Sequence, residues 1–231
     1  MNFDTCIILA AGRGTRMGVD SPKVLLKIDD KPAIQHVIDF WKDSVPYFIV
    51  VVGHKGKEVD DYMRYSKVKY ETVIQYDQRG IAHAILQAKA MVKGNFVVAL
   101  GDCLNLGYFV YPERMTLGYG LWTGNYQKQL ELCCSAWTEN GSIVRLVEKG
   151  RAPFVGIGTY FFDRRVFDYI EREKPSSYRN EVEITDVMQH MIDSGERISP
   201  VYLHGEFVNL TCKDDIEYAN ELVKSFDVLR K

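Results

Sequence analysis

The chain has 231 residues, of which 46% are hydrophobic, and its formal net charge is −2. This length and composition are sufficient for one large α/β domain with a substantial core. The nearly balanced charge provides no overall basic field for nucleic acid, so any polyanionic ligand must be held by a local cluster of cations.

The cysteines and the N-terminus indicate where the protein works. The five cysteines are odd in number, form no C-x-x-C pair and lie mostly in apolar runs, which predicts free thiols in a reducing compartment. The chain enters an apolar strand within a few residues, and no apolar run approaches membrane-spanning length. We therefore expect a cytoplasmic protein that has no targeting signal and contacts no membrane.

The first half of the chain alternates apolar runs with segments of helical spacing. This pattern predicts strands at 6–9, 47–52, 70–74 and 96–100, and helices at 33–41, 57–63 and 82–92. Strands that alternate with helices form a parallel sheet with right-handed crossovers. Ligands bind such sheets beyond the carboxyl ends of the strands, so we expect the functional residues there.

The second half contains more strands. We predict strands at 119–122, 130–136, 142–147 and 155–162, with a hairpin turn at Glu139-Asn140-Gly141. A helix at 165–171, a loop at 175–180, a helix at 184–192, strands at 198–203 and 207–210 and a helix at 214–226 follow. We find no linker, internal repeat or low-complexity tract, so we expect one domain over residues 1–231 with a mixed, mainly parallel sheet.

A glycine-rich loop directly follows the first strand. Gly12, Gly14 and Gly18 allow backbone N–H groups to approach a ligand closely, as phosphate binding requires. The glycine spacing alone is equally compatible with a tight strand-to-helix turn. Three cations lie in or just after the loop, namely Arg13, Arg16 and Lys23. The loop that binds the pyrophosphate of a dinucleotide usually supplies fewer cations, so their number favours a triphosphate as the ligand.

The same stretch carries a family resemblance. Leu-Ala-Ala-Gly-Arg-Gly-Thr-Arg-Met at 9–17, followed by Pro22-Lys23, resembles the L-A-A-G-x-G-T-R-(M/L) and P-K signature of the sugar-phosphate nucleotidyltransferases. The likeness extends over nearly the whole chain and implies a Rossmann-like three-layer α/β fold. It implies catalytic roles for Arg16 and Lys23. It also implies nucleotide binding by Leu9, Ala10, Ala11, Gly12, Arg13, Gly14, Thr15, Gln75 and Gly80.

Two features indicate the base. The segment from Gln75 to Ala84 resembles a Q-x-x-x-x-G-T-A-x-A motif that holds a pyrimidine in this family. A glutamine that ends a strand is usually solvated, but its amide can both accept from and donate to a base edge. Ala10-Ala11 resembles the pyrimidine-using members, because members that use GTP commonly have two glycines there. We therefore expect UTP or dTTP.

Two oxygen-bearing side chains are candidates for binding Mg²⁺. Asp102 follows the strand at 96–100 and reaches the same sheet edge as the glycine loop, although a helix N-cap is the alternative. Asn209 ends a later strand and by itself would be interpreted as a turn residue. The resemblance implies that Asp102 and Asn209 together bind the catalytic Mg²⁺.

The acceptor site is indicated by resemblance alone. Val147-Glu148-Lys149 resembles V-E-K-P, which implies that Glu148 contacts sugar hydroxyls and Lys149 the sugar phosphate. The segment at 181–186 resembles E-x-x-I-T-D. Gly156 is a further substrate-contact candidate, and it replaces the asparagine of N-T-G-I in N-acetylglucosamine-1-phosphate uridylyltransferases. The missing amide weakens the case for an amino-sugar acceptor.

We therefore expect transfer of a nucleoside monophosphate from a pyrimidine triphosphate to a sugar 1-phosphate, with release of pyrophosphate. The partners are small molecules, without nucleic acid, and the sequence does not indicate an oligomeric state. Three alternatives remain. They are a cytidylyltransferase that uses a phosphorylated alcohol, a non-catalytic nucleotide-binding subunit, and a nicotinamide-dependent oxidoreductase. The last would need an acidic residue where the second strand ends, and that strand ends at Val52-Gly53.

Overall fold

A computed structural model describes residues 2–14, 17–18, 20–124, 133–150, 152–175 and 181–229. Ten of its strands form one sheet, and two short strands form a separate ribbon. In chain order the strands are β1 (Thr5–Ala10), β2 (Lys27–Ile28), β3 (Lys31–Pro32), β4 (Phe48–Val52), β5 (Tyr70–Ile74), β6 (Phe96–Leu100), β7 (Cys103–Val110), β8 (Leu117–Trp122), β9 (Cys134–Glu139), β10 (Ser142–Glu148), β11 (Phe154–Phe162) and β12 (Ile198–Asn209).

The large sheet is mixed and mainly parallel, which confirms the prediction. Its main path runs β5-β4-β1-β6-β11-β8-β12-β7, and β9 with β10 continues from β11. Along this path every strand except β11 and β7 runs in the same direction. Every residue of β1 and β4 is buried, because both faces of these strands are covered.

Helices cover both faces of the sheet. They are α1 (Ala33–Trp41), α2 (Gly56–Met63), α3 (Ile81–Gln87), α4 (Arg165–Arg172), α5 (Ile184–Asp193) and α6 (Lys213–Leu229). Side chains alternate along a strand, so Ile7 packs in a cluster with α3, α4 and α5, whereas Ile8 packs on the opposite face with α1 and α2. The expected three-layer α/β arrangement is therefore confirmed.

Two elements differ from the prediction for identifiable reasons. The helix expected at 82–92 ends at Gln87 and continues as turns, in which the carbonyl oxygens of Lys89 (3.2 Å) and Val92 accept hydrogen bonds from the Arg164 guanidinium. The strand expected at 130–136 begins at Cys134 in the described part of the chain, and 125–132 lie outside it. Asn140 and Gly141 form the predicted hairpin turn, both with positive φ.

The strands predicted at 198–203 and 207–210 are wrong as separate elements. They form one strand, β12, which pairs along its C-terminal part with β7, a strand that was not predicted. Gly205 faces Gly107 across this pair, and a Cβ on Gly205 would lie 1.9 Å from the Leu106 carbonyl oxygen. Glycine here permits close approach of two backbones, whereas in the sequence it looked like the end of a strand.

The predictions for the cysteines and for the closing helix fit the structure, whereas residues 176–180 of the predicted loop lie outside the described residues. Among the described residues no two cysteines form a disulfide, and four of the five are buried, as the apolar context of these residues indicated. The predicted closing helix is α6, which begins one residue earlier than expected. No helix in the described part of the chain has the length and apolar character needed to cross a membrane.

A buried carboxylate fixes the corner between β12 and α6. Asp215 is fully buried, and its Oδ2 accepts hydrogen bonds from the backbone N–H groups of Thr211 (2.7 Å) and Cys212 (2.9 Å). The Thr211 hydroxyl donates to the same oxygen at 2.5 Å. One buried oxygen thus accepts three hydrogen bonds, and removing it would leave the buried donors unsatisfied. The corner follows Asn209 directly and therefore determines where β12 ends.

Replacing Asp215 with alanine tests this corner. The Asp215→Ala change leaves buried donors without an acceptor, so the free energy of unfolding should fall by about 2 kcal/mol or more. The neighbouring Asp214 is exposed, and Asp214→Ala should change it by less than about 0.5 kcal/mol. Urea unfolding followed by circular dichroism measures both. Equal unfolding midpoints for the two variants would contradict the role given to Asp215.

Candidate active site

A cavity of about 310 Å³ opens at the carboxyl ends of the central parallel strands, where the sequence predicted a site. We call it the first cavity. Its lining combines the ends of β1 and β6, the loops after β1 and β5, and the segment before α5. The residues are Leu9, Ala11, Gly12, Lys23, Val24, Gln75, Gln78, Gly80, Ile81, Ala84, Leu100, Asp102, Glu181 and Glu183.

The glycine loop lies against Lys23. Gly14 has a φ of +61°, and a Cβ on it would lie 3.1 Å from the Cβ of Lys23, so the loop and the lysine backbone are in close contact. Ala10 is buried on the opposite face of the sheet, whereas Ala11 lines the cavity, because neighbouring residues of a strand point in opposite directions. Arg13 is exposed. Two of the predicted loop residues, Thr15 and Arg16, lie outside the described residues.

Lys23 and Asp102 form an ion pair at the edge of the first cavity. The Lys23 ammonium contacts Asp102 Oδ2, and the side chains are 18% and 17% exposed. Lys23 begins a single 3-10 turn after Pro22, and Asp102 follows β6 directly, so different elements deliver the two charges. Partial burial lowers the screening by water, which strengthens the attraction. In this structure Lys23, which was predicted to contact phosphate, and Asp102, which was predicted to bind metal, therefore neutralise each other's charge.

Asn209 lies next to Asp102 through the β7–β12 pairing. Asn209 is paired with Cys103, and the backbone N–H of Leu210 donates to the Asp102 carbonyl oxygen at 3.0 Å. The same surroundings affect the Cys103 thiol, whose pKa is raised well above its usual value first by burial and then by the Asp102 charge. Within the described ranges, no three histidine, cysteine, aspartate or glutamate side chains are grouped to hold a metal.

Asp102 and Asn209 suit Mg²⁺ chemically. Both offer a hard oxygen donor, and Mg²⁺ is commonly bound by one or two protein oxygen ligands, with substrate phosphates and water completing its coordination. Asn209 pairs with Cys103, the residue after Asp102, so the β7–β12 pairing brings Asp102 and Asn209 to the same edge of the sheet. The donor set therefore fits the expected ion without a larger acidic cluster.

Gln75 is buried at the end of β5, with 4% of its surface exposed. Its amide nitrogen donates to the Gly80 carbonyl oxygen at 3.3 Å and lies 3.0 Å from His83 Nδ1. Because a carbonyl oxygen can only accept, the atom of the Gln75 amide that faces Gly80 is the nitrogen. Burial, and then the nearby Arg79, lowers the pKa of His83. The Gln75 amide is thus held in one orientation rather than solvated.

A second cavity of about 280 Å³ adjoins the first. The predicted acceptor residues Glu148, Lys149 and Gly156 line it, together with Asn209. The Thr185 hydroxyl donates to Glu148 Oε1, which connects β10 to α5. The two cavities share three lining residues, namely Ile81, Leu100 and Glu183. The structure therefore brings the nucleotide and acceptor candidates to neighbouring spaces.

Sequence reasoning assigned no role to several residues that line these cavities. Gln78 donates through its side-chain nitrogen to the Ala11 carbonyl oxygen, which connects the loop after β5 to the glycine loop. Glu181 and Glu183 reach the first cavity because Gly80 packs on Val182, where a Cβ would lie 2.8 Å from the Val182 carbonyl oxygen. The E-x-x-I-T-D resemblance at 181–186 was the available signal for these glutamates.

A larger cavity, of about 620 Å³, lies elsewhere, between α1, β7 and α6. It contains none of the predicted site residues. Its lining mixes exposed aromatic residues with charges of both signs, including Tyr108, Lys42 and Asp43. Size alone therefore does not identify a functional site, and the convergent polar groups of the two smaller cavities make those cavities the candidates.

Comparisons with known proteins concern the family and the fold of the chain. A family model described as a MobA-like NTP transferase domain matches residues 6–107, and one described as nucleotidyl transferase matches residues 101–207. The UDP-glucose pyrophosphorylase structure solved with UDP-glucose superimposes with a TM-score of 0.83 at 22% identity, covering 96% of this chain and 99% of that one. This likeness concerns the fold.

Curated relatives align over nearly the whole chain. The UTP–glucose-1-phosphate uridylyltransferase AglF of Haloferax volcanii is 28% identical over 93% of this chain and 94% of its own length. The bifunctional protein GlmU of Methanococcus maripaludis is 28% identical over 93% of this chain. The chain spans about half the length of the GlmU proteins it matches, 53% in that case. The two family models together extend from residue 6 to residue 207 and the relatives align beyond them, so these matches support the resemblance to the sugar-phosphate nucleotidyltransferases over nearly the whole chain.

Proposed function

We propose that this chain transfers a nucleoside monophosphate from UTP or dTTP to a sugar 1-phosphate and releases pyrophosphate. The observation that carries the proposal is the junction of the two cavities, which share Ile81, Leu100 and Glu183 beside the Lys23–Asp102 pair. The name and full-length alignment of AglF support this substrate class. The proposal treats residues 1–231 as one cytoplasmic catalytic domain.

The first cavity is the proposed nucleotide site. Gln75 offers its amide oxygen to the N3–H of uracil or thymine, because its nitrogen is engaged by Gly80. The glycine loop, with Arg13, Thr15 and Arg16, is assigned to the triphosphate. Backbone N–H groups and guanidinium groups bind phosphate oxygens strongly, so this loop is suited to the leaving pyrophosphate.

The second cavity is the proposed acceptor site. Lys149 is exposed at its edge and has a positive φ of 52°, and its charge is suited to the acceptor phosphate. Glu148, held by Thr185, is suited to sugar hydroxyls as a hydrogen-bond acceptor. The cation and the carboxylate are neighbours in sequence, so an acceptor that carries both a phosphate and hydroxyl groups matches them.

The proposed reaction needs no general base. An oxygen of the sugar phosphate attacks the α-phosphorus, and the bond from that phosphorus to the pyrophosphate oxygen breaks. The nucleophile is already an anion, so the protein must mainly bring two anions together in line. Lys23 is placed to neutralise the α-phosphate, and it must exchange its Asp102 contact for phosphate oxygens when the nucleotide binds.

Asp102 and Asn209 are the residues that we propose to hold Mg²⁺. When bound, Mg²⁺ supplies positive charge that offsets the repulsion between the two phosphate-bearing substrates. Release of Lys23 from Asp102 makes both the carboxylate and the ammonium available. Binding of the nucleotide should therefore increase the affinity of this site for Mg²⁺, and binding of Mg²⁺ should increase its affinity for the nucleotide.

A panel of substrates tests the proposed function. UTP or dTTP with Mg²⁺ and a sugar 1-phosphate should release pyrophosphate, and calorimetric titration should show weaker binding of CTP. One hydrogen-bonded contact to the base is expected to discriminate by about 1–3 kcal/mol. Purine triphosphates should bind more weakly than any pyrimidine, because the first cavity is small and Gln75 is fixed.

The outcomes of the panel separate the alternatives. Turnover with CTP and a phosphorylated alcohol alone would identify the cytidylyltransferase alternative. Nucleotide binding without turnover on any acceptor would support a non-catalytic subunit. ATP or GTP binding as tight as UTP binding would contradict the assignment of Gln75.

Asp102→Asn tests the metal ligand. A neutral amide binds a hard cation poorly, so Mg²⁺-dependent turnover should fall by about 100-fold or more while circular dichroism shows that the fold is retained. Calorimetric titration of Mg²⁺ in the presence of UTP should show weakened metal binding. Asp60→Asn, which removes a carboxylate paired with Arg64 on α2, is the matched control. Full activity of Asp102→Asn, or of the unaltered protein in excess EDTA, would refute the site.

Lys23→Ala tests the phosphate contact. If the ammonium stabilises charge in the transition state, kcat should fall by roughly 100-fold, which corresponds to about 3 kcal/mol. Lys31→Ala removes a lysine that pairs with Asp39 on the surface, and it should leave kcat unchanged. A rise in the KM for the nucleotide with unchanged kcat would show that Lys23 contributes binding only.

A further inference from the structure

Gly156 lies under the phenol ring of Tyr119 in the second cavity. A Cβ on Gly156 would lie 1.8 Å from Tyr119 Oη and 2.0 Å from its Cζ, so the space of a side chain at position 156 is already filled. Both residues line the cavity. A glycine at 156 and a tyrosine at 119 therefore depend on each other.

An irregularity between β8 and β11 produces this contact. Gly156 is paired with Leu121, and Tyr160 is paired with Tyr119, so β11 has three residues where β8 has one. The extra residues include Gly158, whose φ is +66°. The resulting bulge brings the far end of the Tyr119 side chain onto Gly156, although the two residues are not direct partners.

The Tyr119 ring has little freedom to move away. It is 2% exposed and stacks on the Tyr160 ring, with centroids 4.9 Å apart and planes 8° apart. Tyr160 stacks in turn on Phe162 at 5.9 Å. Close packing of this kind holds a side chain in one rotamer, so a substrate group cannot push the phenol aside without disturbing the core.

The wall made by this ring is polar but uncharged. Burial raises the pKa of Tyr119 and Tyr160 well above the usual value, so both hydroxyls remain protonated. Burial also raises the pKa of Cys133 and Cys134, which line the same cavity, to about 12. A neutral hydroxyl can both donate and accept, which suits the hydroxyl groups of a substrate.

We propose that Tyr119 determines acceptor specificity, because its phenol forms a wall over Gly156 that admits hydroxyl substituents and excludes a bulkier acylamino substituent. The inference rests on the proposed function, since it takes the second cavity as the acceptor site. Tyr119 contacts the acceptor in this proposal but takes no part in bond making or breaking.

The competition for space between the Tyr119 ring and a side chain at position 156 is tested by measuring thermal stability, without an activity assay. Gly156→Ala should lower the thermal unfolding midpoint by about 5 °C or more in the unaltered protein, because the added methyl group overlaps a fixed ring. In a Tyr119→Leu background the same change should have a much smaller effect. An equal effect of Gly156→Ala in both backgrounds would refute the mutual dependence, whether or not the protein is an enzyme.

Specificity is tested with glucose 1-phosphate and N-acetylglucosamine 1-phosphate, each assayed with Mg²⁺ and UTP. The kcat/KM ratio should favour glucose 1-phosphate in the unaltered protein and should fall by about tenfold or more in Tyr119→Leu. Tyr119→Phe retains the ring and should preserve the exclusion. Tyr169→Leu, which removes a tyrosine of α4 that packs edge-on against His190, should leave the ratio unchanged.

Thermal-shift titration of the two sugar phosphates gives the same comparison without turnover. If no acceptor reacts but glucose 1-phosphate binds selectively and Tyr119→Leu loses that selectivity, the proposed function fails and the role of Tyr119 stands. An unchanged preference in folded Tyr119→Leu overturns the proposal. The proposal is also overturned if the unaltered protein uses both sugar phosphates equally, or if it binds neither of them.

Discussion

The ion pair between Lys23 and Asp102 is the interaction on which the rest of the site depends. It joins the turn after the glycine loop to the end of β6, and both of its side chains line the first cavity. Opposite charges that are mostly shielded from water attract strongly, so each holds the other in place. In the proposed reaction both charges are needed for other partners, and substrate binding would therefore have to rearrange this pair.

Close backbone contacts at glycines build the surroundings of that pair. Gly14 lies against Lys23, Gly80 lies against Val182, and Gly156 lies against Tyr119. Each contact connects segments that are distant in sequence, and a side chain at any of these positions would separate them. The glycines therefore act through packing, and only part of their importance concerns phosphate binding.

The arrangement also limits which ligands fit. Gln75 is held by Gly80 rather than by solvent, and Tyr119 is held by stacking on Tyr160. A site whose polar groups are fixed before the ligand arrives discriminates better, because a wrong ligand leaves those groups unpaired. The two cavities thus combine fixed walls with the paired charges of Lys23 and Asp102, which line the first cavity.

The sequence by itself determined the alternation of strands and helices, the sheet edge at which the candidate site lies, and the resemblance to a known family. These features depend on local apolar periodicity and on short motifs, as at β1 and Asp102. Only the tertiary structure determined β7, the continuity of β12, the early end of α3 and the position of Tyr119. Each of these depends on contacts between residues far apart in the chain, such as Gly107 with Gly205 and Arg164 with Lys89, which local sequence patterns do not contain.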